Sequence, residues 1–74
     1  MSVFGLVPVR VEVVHEGRRR GMMLRRGARV DDLLEKLGIN RETVLVRLNN
    51  KVCVEEEILR EGDKVEIIKA ISGG

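Results

Sequence analysis

The sequence predicts an α+β fold, in which a mixed sheet of four to five strands is covered on one face by one main helix. Short runs in which apolar and polar residues alternate indicate strands, and one stretch carries apolar residues at helical spacing. Two strands precede that helix and further strands follow it. Because the helix and the sheet can bury their apolar faces only against each other, we expect a single two-layer domain over residues 1–74.

The first two strands are predicted on either side of a polar hairpin. Residues 7–14 carry β-branched side chains at every second position, which is typical of a strand. The sequence Gly-Arg-Arg-Arg-Gly of residues 17–21 is expected to form a hairpin loop of about five to six residues. The returning strand is expected over residues 22–26, with Met22 and Leu24 on one face.

Residues 30–38 carry the pattern of the one main helix. Apolar side chains fall at positions i, i+3, i+4 and i+7 of this stretch, and they are Val30, Leu33, Leu34 and Leu37. Gly38 is expected to end the helix in the left-handed conformation, with Ile39 packing back on Leu34. Arg29 stands where a Ser, Thr or Asp would cap the first turn, so the start of the helix lacks a conventional cap.

Two short strands are predicted directly after the helix. In residues 44–48 the side chains of Val44, Val46 and Leu48 are expected to face inward, and those of Leu45 and Arg47 outward. Asn49 and Asn50 can form a tight turn, because Asn tolerates positive φ. This turn leads into a short strand over residues 51–54.

A charged connection and a last strand complete the fold. One short helical turn is expected over residues 55–59, and Gly62 with Asp63 forms a second tight turn. The last strand is expected over residues 64–71. Elements in this order describe a β-grasp (ubiquitin-like) fold, in which the first and last strands lie side by side and parallel at the centre of the sheet.

One face of the predicted sheet has no helix to cover it. In the last strand, Val65 and Ile67 are expected to face the helix, which places Ile68 and Ala70 on the open face. Leu45 of the neighbouring strand would join them. Apolar residues on an uncovered face mark a candidate surface for binding a partner.

Composition and charge exclude some classes of function. With 74 residues the core is small and leaves little room for a deep catalytic cleft. Residues 1–29 carry seven arginines against two glutamates, a net charge of +5, which favours an acidic partner or nucleic acid. Because Phe4 is the only Phe, Tyr or Trp, bases have little to stack on, which disfavours a nucleic-acid partner.

The single histidine and the single cysteine indicate no catalytic or metal site. His15 is predicted in a turn and Cys53 in a strand, without partners at the spacing of a metal site or a catalytic set. A lone cysteine fits a reducing cytosol. The chain shows no signal peptide and no run of about 20 apolar residues, so we expect a cytoplasmic protein without membrane contact.

Residues 71–74, Ile-Ser-Gly-Gly, are expected to be a flexible tail, and residues 1–6 a disordered N-terminus. Because glycine has no Cβ, Gly73 and Gly74 can pass through a narrow channel and present a carboxylate to the active site of another protein. The alternative interpretation of the same residues is a frayed terminus without function.

Three stretches of the chain together resemble the ThiS/MoaD sulfur-carrier family, which includes archaeal small modifier proteins. Residues 27–38 resemble its helix region, and residues 44–52 resemble a strand and its following turn. Residues 62–68, followed by Gly73 and Gly74, resemble the last strand and the tail. The resemblance covers about residues 9–74, with the stretches in the family's order.

The resemblance implies a sulfur carrier that is a monomer when free, binds no cofactor and is not itself an enzyme. An E1-like adenylating enzyme of the ThiF/MoeB type would activate the Gly74 carboxylate with ATP and Mg²⁺, and the adenylate would become a thiocarboxylate. A downstream synthase would accept the sulfur for thiamin (thiazole) or molybdopterin biosynthesis, or for tRNA thiolation. The residues implied in binding the activating enzyme are Leu45, Arg47, Ile68, Ala70, Ile71 and Ser72, with Gly73 and Gly74 at the reacting end.

Two other functions fit the sequence beside the carrier. A ubiquitin-like modifier of the same fold would join Gly74 to lysines of target proteins after the same adenylation. A nucleic-acid-binding module resembling the TGS domain would use Arg18, Arg19 and Arg20 to contact phosphates. The sequence leaves both functions open.

Overall fold

A computed structural model describes residues 7–70 of the protein, which contain five strands and one α-helix. In chain order these elements are β1 Val9–His15, β2 Arg18–Leu24, α1 Val30–Leu37, β3 Val44–Leu48, β4 Lys51–Val52 and β5 Lys64–Lys69. A single 3₁₀ turn, Arg41–Thr43, precedes β3. The expectations for residues 1–6 and for the tail at residues 71–74 lie outside the described residues.

The strands form one sheet in the order β2-β1-β5-β3-β4. β1 and β5 are parallel neighbours at its centre, with Val13 opposite Val65, and the remaining neighbours are antiparallel. The apolar side chains Val30, Leu33 and Leu34 of α1 pack on one face of this sheet. The arrangement confirms the predicted β-grasp (ubiquitin-like) fold with a mixed sheet.

The core between the helix and the sheet is built from aliphatic side chains. Among the described residues, none that is buried is polar or charged. The buried residues are Val9, Val11, Val13, Leu24, Ala28, Val30, Leu33, Leu34, Val46, Leu59, Val65 and Ile67. Full burial of one Val, Leu or Ile side chain contributes about 1.5–3 kcal/mol. The alternating residues of β1 and β5 and the helix stripe therefore hold the two layers together.

The start of the helix is capped by backbone from elsewhere in the chain. The N–H groups of Val30 and Asp31 donate to the carbonyls of Glu57 and Glu55, at 3.0 Å in both cases. The Asp32 carboxylate accepts a hydrogen bond from the backbone N–H of Arg29, at 2.9 Å. These partners satisfy N–H groups that a helix leaves free at its first turn, so the missing Ser, Thr or Asp cap is compensated.

The helix ends as the sequence predicts. Gly38 adopts the left-handed conformation, with φ of 72° and its N–H donating to the Glu35 carbonyl. The N–H of Ile39 donates to the Leu34 carbonyl at 2.9 Å, and its side chain packs against the core. This pair of bonds is a Schellman motif.

The length of α1 bears on membrane insertion. With eight residues it is too short to span a bilayer, and residues 7–70 hold no other helix that could do so.

The predicted hairpin loop over residues 17–21 is wrong. β1 and β2 are joined by a tight turn at Glu16 and Gly17, whose φ values are 52° and 75°. A two-residue turn with positive φ at both positions matches the twist of the strands it joins. Arg18, Arg19 and Arg20 therefore belong to β2, where they pair with the end of β1. Glutamate is uncommon at positive φ, so the sequence carried little sign of this turn.

Two further expectations between β4 and β5 are also wrong. β4 ends at Val52 instead of residue 54, and residues 55–59 contain a turn without a helix. The reason is that this segment bonds the chain that precedes α1: Ile58 forms an isolated β-bridge with Arg29. The N–H of Leu59 donates to the Ala28 carbonyl at 2.8 Å. These contacts hold the segment extended and bury Leu59 in the core.

The two predicted tight turns are present and bonded to each other. Asn49 and Asn50 have positive φ values of 51° and 72°, as expected for Asn in a tight turn. The Asn49 side chain accepts a hydrogen bond from the N–H of Lys64 at 2.9 Å and donates to Asp63 Oδ1 at 3.0 Å. The Asn49 side chain, in the turn between β3 and β4, thus holds the start of β5 in place.

Candidate functional site

The face of the sheet opposite the helix carries an exposed apolar pair. Leu45 of β3 lies directly opposite Ile68 of β5, and the two residues are 42% and 39% exposed. Their neighbours Val46 and Ile67 are buried on the helix side. Because successive side chains of a strand point to opposite faces, Leu45 and Ile68 lie on the open face.

Two further residues extend this pair into a surface. We call Leu45, Arg47, Val52 and Ile68 the open-face patch. Arg47 is half-buried and lies opposite Val52 of β4, which is 65% exposed. Arg47 was predicted to lie on this surface, whereas Val52 was not, because a strand of two residues is too short to show an alternation.

The charges at the centre of the open face are only partly paired. Arg47 lies opposite Glu66 across β3 and β5, but its Nη2 donates to the Asn50 carbonyl at 3.3 Å. Oε1 of Glu66 is enclosed and accepts no hydrogen bond from the described residues. An enclosed oxygen without a donor is unfavourable. Rotation of the Arg47 side chain toward Glu66 would supply the missing donor.

The last described residue is held at the end of the patch. The N–H of Ala70 donates to the Thr43 carbonyl at 2.9 Å, and Ala70 is exposed. Ala70 therefore lies two residues beyond Ile68, at the end of the open-face patch. The remaining predicted site residues lie outside the described residues, and they are Ile71, Ser72, Gly73 and Gly74.

Cys53 and His15 are not part of the open-face patch, although Cys53 directly follows Val52. Cys53 packs against the core, and burial, followed by the charges of Glu57 and Glu55, raises the pKa of its thiol. A raised pKa leaves less thiolate at neutral pH, so Cys53 has the character of a packing residue. His15 Nε2 lies 3.8 Å from Oε1 of Glu16. Across residues 7–70, no three His, Cys, Asp or Glu side chains are grouped to hold a metal ion.

Solved structures of known proteins share this fold. Caldiarchaeum subterraneum ubiquitin superimposes with a TM-score of 0.65, over 90% of this chain and 99% of that one. At 15% identity this likeness shows the fold alone. The thiamine biosynthesis protein ThiS from Geobacter metallireducens superimposes with a TM-score of 0.61 at 25% identity, over 85% of this chain and 99% of that one.

Sequence comparison gives the family. The sulfur carrier protein TtuB of Thermus thermophilus is 35% identical over 74 residues, and the alignment spans the whole of both chains. The model of the ThiS family matches residues 11–74. That match begins in β1, includes the open-face patch and runs through Gly73 and Gly74. The chain therefore belongs to the ThiS family.

Proposed function

We propose that this protein is a sulfur carrier whose Gly74 carboxylate is adenylated by an E1-like enzyme and then converted to a thiocarboxylate. Membership of the ThiS family and the full-length similarity to the sulfur carrier TtuB support the carrier role. The carrier supplies the reacting carboxylate, whereas the activating enzyme supplies the nucleotide, Mg²⁺ and catalytic groups. The lone cysteine is compatible with this chemistry taking place in the cytoplasm.

The chemistry follows from the weakness of a carboxylate as an electrophile. One Gly74 oxygen attacks the α-phosphorus of ATP, the bond to the β-phosphate breaks, and pyrophosphate leaves. The acyl carbon now carries AMP as a leaving group. A hydrosulfide equivalent forms a C–S bond to that carbon, and the C–O bond to AMP breaks. The accepting synthase sets the destination of the sulfur, in thiamin thiazole or molybdopterin synthesis or in tRNA thiolation.

The observation that carries this proposal is that the open-face patch lies beside Ala70, the last described residue. Leu45 and Ile68 lie next to the point where Ala70 is bonded to Thr43. Four residues can reach at most about 14 Å beyond that point. An enzyme that covers the patch would therefore have Gly74 within a short, defined distance of its surface.

Replacement of Ile68 by Glu should weaken binding to the cognate activating enzyme by about 30-fold or more. A central apolar interface residue contributes about 2 kcal/mol or more, and a buried unpaired carboxylate adds a further cost. Isothermal titration calorimetry on the full chain measures the change. Ile58→Glu is the matched control, because Ile58 is 45% exposed and lies between β4 and β5, away from the patch. Equal affinities for the two variants would refute the docking surface.

Adenylation itself is tested by exchange of labelled pyrophosphate into ATP. We expect exchange by the cognate activating enzyme to depend on this chain and on Mg²⁺. The Ile68→Glu variant should raise the concentration of carrier needed for half-maximal exchange, since Ile68 contributes to docking and does not react. Exchange at the same rate with and without the carrier would overturn the proposed role of Gly74.

A further inference from the structure

The outer edge of β2 is the longest free strand edge among the described residues. β2 has seven residues and pairs with β1 on one side only. The opposite edge strand, β4, has two residues. A free edge presents unpaired backbone N–H and C=O groups, which are a template for another strand. β2 therefore has the length to accept an added strand, whereas β4 does not.

Three consecutive arginines occupy the hairpin end of this edge. Arg18 and Arg20 lie opposite His15 and Val13, so they point to the helix side of the sheet. Arg19 lies opposite Val14 and points to the open side. The positive charge is thus divided between both faces of one edge strand.

Most of this charge is unpaired within the described residues. Arg19 Nε lies 3.8 Å from Glu12 Oε1, and both side chains are largely exposed. The ion pairs of residues 7–70 include neither Arg18 nor Arg20. An exposed pair such as that of Arg19 contributes little. The guanidinium groups of Arg18 and Arg20 are therefore available to carboxylates of another molecule, and Arg19 can exchange its exposed pair with Glu12 for such a contact.

The arginines line grooves on the two sides of β2. A groove of about 620 Å³ is bounded by all three arginines together with Val13, His15 and Glu16. A second groove, of about 300 Å³, is lined by Arg10, Arg19, Arg20 and Gly21, and Glu12 and Glu61 offset part of its positive charge. The Arg10 guanidinium lies over Gly21, where an added Cβ would be 3.1 Å from its Nε and Nη2. Arg10 thus adds positive charge to the edge from the open side.

We propose that the free edge of β2 binds an acidic, extended segment of a partner protein as an additional strand. A strand added in the plane of the sheet projects its side chains alternately to both faces. Three consecutive acidic residues in that strand would meet Arg18, Arg19 and Arg20 on their respective faces. This surface lies at the opposite edge of the sheet from β3 and β4, so it is separate from the open-face patch.

The same arrangement disfavours the other candidates for this edge. A nucleic acid lying on one face would meet only part of the divided charge, and residues 7–70 contain no Phe, Tyr or Trp on which its bases could stack. The β2 strand of a second copy offers no carboxylate to these arginines, because its seven residues include no Asp or Glu. A register that placed the arginines of two copies directly opposite one another would be destabilising. The arginines therefore favour an acidic strand over a second β2.

Binding of a synthetic peptide to the full chain tests the proposal. The probe has three consecutive glutamates flanked on each side by Val-Thr-Val and is blocked at both ends. We expect it to shift the backbone amide NMR signals of Arg18–Leu24. The Arg18→Gln/Arg20→Gln double variant should bind at least about two-fold more weakly, since each cross-strand pair of opposite charge changes the affinity by about 1.4- to five-fold. Arg60→Gln, an exposed arginine outside the hairpin, should bind like the original chain.

Three results would overturn the proposal. The first is unchanged binding by both of two peptides, one methylated on the odd and one on the even backbone nitrogens, because strand addition requires one of these two sets of N–H groups. The second is an oligouridine that shifts the same amides with higher affinity than the peptide. The third is the absence of any shift within β2 at saturating peptide.

Discussion

Removal of Gly74 should lower the rate of adenylation by about 100-fold or more while leaving the fold intact. The shortened chain ends on the carboxylate of Gly73, which falls about 3.5 Å short of the original position. Misplacement of a reacting group by about 1 Å can cost about 100-fold in rate. The shorter reach of the chain therefore accounts for the expected loss of rate. The fold should stay intact, because every described core residue lies within residues 9–67.

Labelled pyrophosphate exchange with the cognate activating enzyme measures this loss. Gly74→Ala is the matched control, since it preserves the length of the chain and adds only a Cβ. We expect Gly74→Ala to retain more activity than the deletion, and both proteins to show the circular dichroism of the original chain. A deletion variant that retains more than about a tenth of the exchange rate would show that the Gly74 carboxylate is not the group that reacts.

Replacement of Leu59 by Ala should lower the free energy of unfolding by about 2–5 kcal/mol. Leu59 is 1% exposed and packs in the main core, although it lies in an irregular segment. Removal of its side chain leaves a cavity between that segment and the layers beneath. A small domain has about 5–15 kcal/mol of stability in total, so this single change is a large fraction of it.

Ile58→Ala is the control for the Leu59 variant. Ile58 is the preceding residue, has the same number of carbon atoms and is 45% exposed. Its backbone bridge to Arg29 does not depend on its side chain. We expect a loss of about 1 kcal/mol or less, because removal of a partly exposed side chain leaves no closed cavity. Urea denaturation of both variants gives the comparison, and equal losses would contradict the burial of Leu59.

The sequence predicts those parts of the fold that depend on local periodicity. The stripe of Val30, Leu33 and Leu34 identifies the helix, because a helix repeats every 3.6 residues and these residues share one face. The alternation of β5 likewise separates Ile67, which is buried, from Ile68, which is exposed. Three of the four patch residues could therefore be predicted, since Leu45, Arg47 and Ile68 need only strand geometry and the knowledge of which face the helix covers.

Contacts between distant segments could not be predicted in the same way. The carbonyls of Glu55 and Glu57 cap the helix start, but backbone carbonyls carry no sequence signal. Leu59 is buried because residues 28–29 and 58–59 lie side by side. Neither segment has a repeating apolar pattern that would predict this pairing. Val52 joins the patch through its pairing with Arg47 across a two-residue strand. In each case the position of a residue depends on tertiary pairing.

The central claim is that the Gly74 carboxylate of this chain carries sulfur. Intact-mass analysis of the full chain tests it most directly, after incubation with the cognate activating enzyme, ATP, Mg²⁺ and a sulfur donor. We expect a mass increase equal to the replacement of one oxygen by one sulfur, located in the peptide that contains Gly74. An unchanged mass, or Gly74 joined to lysines of target proteins with no thiocarboxylate form, would contradict the claim.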